Sequence, residues 1–198
     1  MSLPIILASA SPERFKLLER MYITPSNVVV TDIDESSLRA ELPNKLALRL
    51  AIEKTEAAIQ HIDYDCYIIT ADTVVAKGRR ILPKATTDDE VMYCLNMLSG
   101  VRHRVFTGLC VTKKEKDIIT SKNILAETIV KFKQFSKQDI ELYIRSKEGI
   151  NKAGGYAIMG LMEAFIVKVM GCYSTVAGLP MRETLNLLSS LGFNKFNI

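Results

Sequence analysis

Hydrophobic and polar positions alternate in two different periods along this chain. Pro4 to Ala8 is a short apolar run that predicts a buried strand. Ser11-Pro12 then predicts a helix start, with Ser at the N-cap and Pro in the first turn. Phe15, Leu18 and Met21 recur at spacing three behind it, and Leu17 widens their stripe. Val28 to Val30 is β-branched and predicts a second strand. Thr31 to Asn44 is polar and acidic and predicts a loop, and Leu46 to Ile62 has the pattern of a long amphipathic helix. Tyr67 to Ala76, rich in Ile, Val and Thr, predicts a central strand, and Lys77-Gly-Arg-Arg80 a turn. Thr87 and Glu90 form a capping box ahead of Val91 to Leu98, with Gly100 as the stop.

Val101 to Thr112 and Ile118 to Phe132 predict two long strands around the charged turn Lys113 to Asp117. In the second of these, Ala126, Thr128, Val130 and Phe132 alternate with Glu127, Ile129, Lys131 and Lys133. Ser136 predicts the cap of a short helix ending near Arg145. Tyr156 to Met170 has strand character broken at Gly160, and Pro180 opens a last helix that ends at Gly192. Helices between strands early and a hairpin-like pair in the middle predict an α/β protein with a mixed sheet flanked by helices.

Composition narrows the classes. The 198 residues suit one domain, with room for two lobes around one cleft. A 48% hydrophobic content argues against extended disorder. Twenty-six Lys plus Arg against 22 Asp plus Glu leave a formal charge of +4, compatible with an anionic ligand and too small to argue for nucleic acid. Cys66, Cys94, Cys110 and Cys172 lack C-x-x-C spacing and are expected as four buried, reduced thiols. His61 and His103 do not pair at metal-ligand spacing, which argues against zinc hydrolase chemistry. No targeting segment or membrane span is expected: Glu163 and Lys168 interrupt the apolar stretch from Ala153 to Gly171, which predicts buried strands, and the cytoplasm is the expected compartment. G-x-x-x-x-G-K-[ST], G-x-G-x-x-G and G-x-S-x-G signatures are absent.

Five segments could carry chemistry. Leu7-Ala-Ser-Ala-Ser-Pro-Glu-Arg14 leads a strand through small residues into a helix start, where free N–H groups suit a phosphate; Ser9, Ser11 and Arg14 would add donors, or simply cap and solvate the helix. Asp34-Glu35 offers hard oxygens for Mg²⁺, or is a solvated loop. Asp72 interrupts an apolar central strand, so it is paired, metal-bound or at a strand end. Lys54 and Lys84 are point charges for phosphate, or surface lysines. Lys152-Ala-Gly-Gly-Tyr156 is a tight turn with an anion-reaching Lys, or a strand entry.

Taken together, these segments resemble the Maf family of nucleotide pyrophosphatases. Leu7 to Leu18, Asp34-Glu35, Arg49-Leu-Ala-Ile-Glu-Lys54, Ala71-Asp-Thr-Val-Val75, Lys84, Lys152 to Tyr156 and Gly178-Leu-Pro180 occur in the family's order over nearly the whole chain. The resemblance implies a Maf/ITPase-like α/β fold with a deep nucleotide-binding cleft. It implies hydrolysis of a nucleoside triphosphate to monophosphate and pyrophosphate with a divalent cation, Mg²⁺ or Mn²⁺. It makes Asp72 the general base and Glu35 its acidic partner, which binds the metal or orients the water, with Glu35 and Asp72 as the metal-contacting carboxylates. Lys54, Lys84 and Arg14 match the phosphate-binding cations, and Ser9 and Ser11 the phosphate-binding turn. Thr73 keeps the Ala-Asp-Thr form of the dTTP/UTP branch, while Glu13 replaces that branch's Arg and Met159 its Gln. Ala85 stands where a Pro often follows the Lys84 position, with Pro83 ahead of it instead. The partners implied are a nucleoside triphosphate and a second copy in a homodimer, with no stable nucleic acid and no membrane. The alternatives are a 7-methyl-GTP-type pyrophosphatase and a low-turnover nucleotide-sensing regulator of cell division.

Overall fold

The computed structural model describes residues 3–116 and 118–194. The strands are β1 (Ile5–Leu7), β2 (Asn27–Val28), β3 (Cys66–Lys77), β4 (Arg80–Ile81), β5 (Lys84–Ala85), β6 (Arg102–Glu115), β7 (Ile118–Phe132), β8 (Lys152–Ala153) and β9 (Ile166–Met170). The helices are α1 (Pro12–Glu19), α2 (Pro43–Gln60), α3 (Asp88–Leu98), α4 (Lys137–Ser146), α5 (Tyr173–Val176) and α6 (Met181–Ser190). The larger sheet has the order β2-β1-β3-β6-β7-β9, with β4 on β3. It is mixed, as the pattern predicts: β1 runs parallel to β2 and β3, whereas β3–β4 and β7–β9 are antiparallel.

The chain divides into two compact units: residues 1–72, 107–126 and 178–198, and residues 73–106 and 127–177. In the first, β1 pairs with β3 in the register Ile5↔Tyr67, and Ile6, Ala8, Ala58, Ile62, Cys66 and Ile68 pack into one cluster. Each fully buried Ile there contributes about 1.5–3 kcal/mol. Two threonines tie α2 to β3. Thr55 and Thr70 Oγ1 lie 2.5 Å apart and 3.0 and 2.8 Å from the Ala51 carbonyl. With one proton each, the two hydroxyls can satisfy that carbonyl and each other.

In the second unit, α3 and α4 each start on a complete capping box, Thr87/Glu90 and Ser136/Asp139. The alternation along β7 holds, with Thr128, Val130 and Phe132 buried. His103 is buried against Phe132 and Tyr156, its Nε2 2.8 Å from the Tyr156 hydroxyl. Burial without a countercharge lowers the imidazole from 6.5 to about 4. Between these two values the unfolded chain binds a proton that the folded one refuses, so stability falls as pH falls from 6.5 toward about 4. Urea midpoints measured across that window are expected to show it. His103→Leu should remove a slope approaching about 1.4 kcal/mol per pH unit.

Four expectations need correction. Only Ile166–Met170 of the stretch from Tyr156 to Met170 is a strand; Gly160–Phe165 is a 3-10 turn. Gly160 has φ +75°, and the Glu148 carboxylate accepts the Leu161 N–H, so the backbone turns where the apolar composition suggested extension. The Val28–Val30 run yields only a two-residue edge strand whose residues are exposed. Strand β6 runs on to Glu115, so the predicted turn shortens; Asp117 of that turn lies outside the described residues. Cys172 is exposed, not buried, because it starts α5 at the surface; Cys66, Cys94 and Cys110 are buried, and all four are free thiols. Among the described residues no helix is long and apolar enough to cross a membrane.

Candidate active site

Helix α2 buries Leu46, Ala47, Leu50, Ala51, Lys54, Thr55 and Ala58, a stripe at spacings of three and four. A lysine in such a stripe is rarely buried without a partner. On the facing strand, Thr70 reaches the Ala51 carbonyl. Side chains two apart on a strand share a face, so Asp72 is directed to the same side as Thr70. The Lys54 ammonium donates to Asp72 Oδ1 at 2.6 Å, with both side chains about nine-tenths buried. It also lies 2.6 Å from Glu35 Oε1, on the loop ahead of α2. One ammonium therefore gathers two carboxylates from a strand and a loop. Glu35 is half exposed and so reachable by ligand.

Arg14 of α1 adds a second cation. Its Nη1 donates to Ser9 Oγ at 2.9 Å and its Nε to the Gly178 carbonyl at 2.8 Å. Ser9 Oγ also accepts the Ser11 N–H at 3.2 Å, so the residues expected to form a phosphate-binding turn are hydrogen-bonded together. Ser11 stands at the N-cap, as its position predicts, but its hydroxyl makes no capping bond. Burial lowers the Arg14 guanidinium from its usual value, and the negative charges of Asp72 and then Glu35 pull it back up. Arg14 thus lies in the field of both carboxylates. Glu13 pairs with Lys16 at 3.3 Å along the same helix.

Thr73, Lys84, Lys152 and Met159 belong to the second unit. Thr73 directly follows Asp72 on β3. Lys84 is exposed on β5, which pairs antiparallel with β8 in the register Lys84↔Ala153 and Ala85↔Lys152. Gly154 has φ +67°, and a Cβ there would lie 2.7 Å from the Val75 side chain, so the glycine pair permits a close approach to β3. Met159 caps the 3-10 turn and packs on the second unit's core.

The donor set can be tested against a divalent cation. Among the described residues no group of three or more His, Cys, Asp or Glu could form a cage made only of protein. Two carboxylates that meet at one ammonium, one of them accessible, are donors of the kind Mg²⁺ takes, since it binds through one or two carboxylates and completes its shell with phosphate oxygens and water. The residues fit the ion, and Glu35 and Asp72 would hold it.

One group of contacts near Glu35 has no complete signature in the sequence. Arg49 bonds Glu41, Glu53 and the Ser36 carbonyl around the Glu35 loop. The i,i+4 spacing to Glu53 was legible as a helix pair. Nothing in the spacing to Glu41 or Ser36 announced the rest.

The Maf-like protein family model matches residues 4–191 of the chain. A Rickettsia felis protein named nucleoside triphosphate pyrophosphatase is 54% identical over 196 residues, 99% of this chain and 97% of its own length. An Orientia tsutsugamushi protein of the same name is 54% identical over 193 residues, 97% of this chain and 94% of its own. A solved HAM1 protein from Coxiella burnetii aligns with a TM-score of 0.48 at 11% identity, covering 95% of this chain and 99% of that one.

Proposed function

The chain belongs to the family of Maf-like proteins, and from that membership we propose that it is a hydrolase of acid anhydrides, a nucleoside triphosphate pyrophosphatase. The observation that carries the reading is the Lys54 ammonium held by Glu35 and Asp72 at 2.6 Å each. Relatives 54% identical over nearly the whole chain bear the name of this activity.

The reaction adds water across the bond between the α-phosphorus and the bridging oxygen to the β-phosphorus. The products are nucleoside monophosphate and pyrophosphate. Asp72 takes the proton from the attacking water, a role suited to a carboxylate fixed on a strand and shielded from bulk solvent. Lys54 and Arg14 stabilise negative charge on the phosphates from positions already set in the fold. Ser9 and Ser11 orient the phosphate at the start of α1. Bound Mg²⁺ would supply further charge neutralisation on the phosphoryl oxygens. The roles of Lys84 as a further phosphate cation, and of Thr73, Glu13 and Met159 in base selection, rest on the resemblance alone.

Within that activity, the Ala71-Asp-Thr73 and Lys152 to Tyr156 segments favour dTTP, UTP or a modified pyrimidine triphosphate. The proposed setting is a cytoplasmic house-cleaning role, where free thiols persist. A panel of dTTP, UTP, CTP and 7-methyl-GTP with Mg²⁺, read as pyrophosphate release, tests the proposal. Fastest release from dTTP or UTP is the expected result. Fastest release from 7-methyl-GTP would move the substrate class, and tight binding without turnover on every member would replace the enzyme with a nucleotide sensor.

A further inference from the structure

Glu35 lies on a surface loop. Residues 29–42 form no helix or strand, and Asp34 to Ala40 are all exposed. A segment without buried apolar contacts opens at low free energy unless polar anchors fix it. Arg49 supplies such anchors from α2. Its Nε and Nη2 donate to the two Glu41 carboxylate oxygens at 2.8 and 2.9 Å. Its Nη2 also donates to the Ser36 carbonyl at 2.9 Å, and its Nη1 to both Glu53 oxygens at 3.1 and 2.9 Å. Those five bonds match the five N–H groups of a guanidinium.

Glu41 passes the constraint on. Its Oε2 accepts the Leu38 N–H at 3.0 Å, and the Glu41 N–H donates to the Leu38 carbonyl at 3.0 Å. Ala40, inside that turn, holds φ +60°, a left-handed conformation that a non-glycine residue keeps only when its surroundings impose it. The Arg49 contact also holds the Glu41 carboxyl below its usual value, so the clamp stays ionic at neutral pH. Lys54 lies five residues beyond Arg49 on the same helix.

We propose that Arg49 is a positioning residue, which fixes Glu35 at Lys54 by clamping Ser36 and Glu41 onto α2. This rests on the reading of Glu35 as a working carboxylate. A planar fork is required, because a lysine could not bond the Glu41 carboxylate bidentately and reach the Ser36 carbonyl together. Asp72 reaches Lys54 from a strand and does not depend on the clamp.

The test uses the full chain and carbodiimide, which activates an accessible carboxylate such as Glu35 and joins it to the amine it touches. Mass spectrometry reads the ratio of the Lys54–Glu35 cross-linked peptide to the unlinked Lys54 peptide, and hydrogen exchange reads residues 31–41 against α2. In Arg49→Gln the ratio is expected to fall about tenfold, the order expected for lost charge-assisted hydrogen bonds, with loop exchange faster and α2 protection retained. Arg49→Lys should fall between, Glu53→Gln should stay within about twofold of wild type, and kcat should drop more than KM changes. An unchanged ratio in a folded Arg49→Gln, or an equal loss in Glu53→Gln, overturns the clamp. Should Arg49→Gln fail to fold, Glu41→Gln is read by the same ratio. Absence of turnover in the wild-type chain would overturn the enzymatic reading while leaving the cross-link ratio to decide the clamp.

Discussion

Asp72→Asn is expected to lower kcat for pyrophosphate release by about 10²- to 10⁴-fold, the range for losing a positioned general base. The substitution keeps the side chain's shape and removes its charge, and with the charge its capacity to accept a proton and to help hold a cation. Lys54 stays paired with Glu35 at 2.6 Å, so the buried ammonium is not left alone. The fold should therefore survive, and KM should change far less than kcat. Steady-state kinetics on the preferred triphosphate, with a thermal melt of the same sample, separate the two effects. Full activity in Asp72→Asn would remove Asp72 from the role of base. Loss of activity together with a collapsed melt would mean instead that the carboxylate's main part is to neutralise Lys54.

Short-range features of this molecule could be read directly from the chain. Thr87 with Glu90 is a capping box because both partners lie within one turn. Thr128, Val130 and Phe132 are buried because one face of β7 meets a core, and strand alternation records that face residue by residue. Asp72 stood out because a carboxylate in a run of buried residues needs a partner, although which partner was not written there. Lys54 lies eighteen residues away, and only the packing of α2 on β3 through Thr55, Thr70 and Ala51 brings it to Asp72. The Arg49 clamp was hidden for the same reason, since a loop's return to a helix has no period. The apolar stretch before β9 misled because hydrophobic composition reports burial and not backbone shape. Met162 and Phe165 are buried from a 3-10 turn as fully as they would be from a strand.

The second large effect is expected at Gly108 of β6. A Cβ there would lie 2.2 Å from the Ala47 carbonyl oxygen, 2.6 Å from its carbon and 2.8 Å from the Leu48 Cα. All three are backbone atoms of α2, so no flexible side-chain tip can swing away. The helix itself must retreat, and its buried stripe from Leu46 to Ala58 retreats with it. Gly108→Ala is accordingly expected to destabilise the protein by about 3 kcal/mol or more, at the upper end for overpacking. Gly78→Ala serves as the contrast: nothing lies within 4 Å of its Cβ, and only its φ of +61° is strained. That variant should lose about 1 kcal/mol. Urea denaturation of both variants checks the difference, and equal stabilities would mean that α2 does not approach β6 so closely. Where Gly108→Ala still folds, kcat should fall as well, because Lys54 rides on the displaced helix while Asp72 remains on its strand. The absence of one methyl group thus sets how near α2 can come, and that distance decides whether a buried ammonium meets its carboxylates.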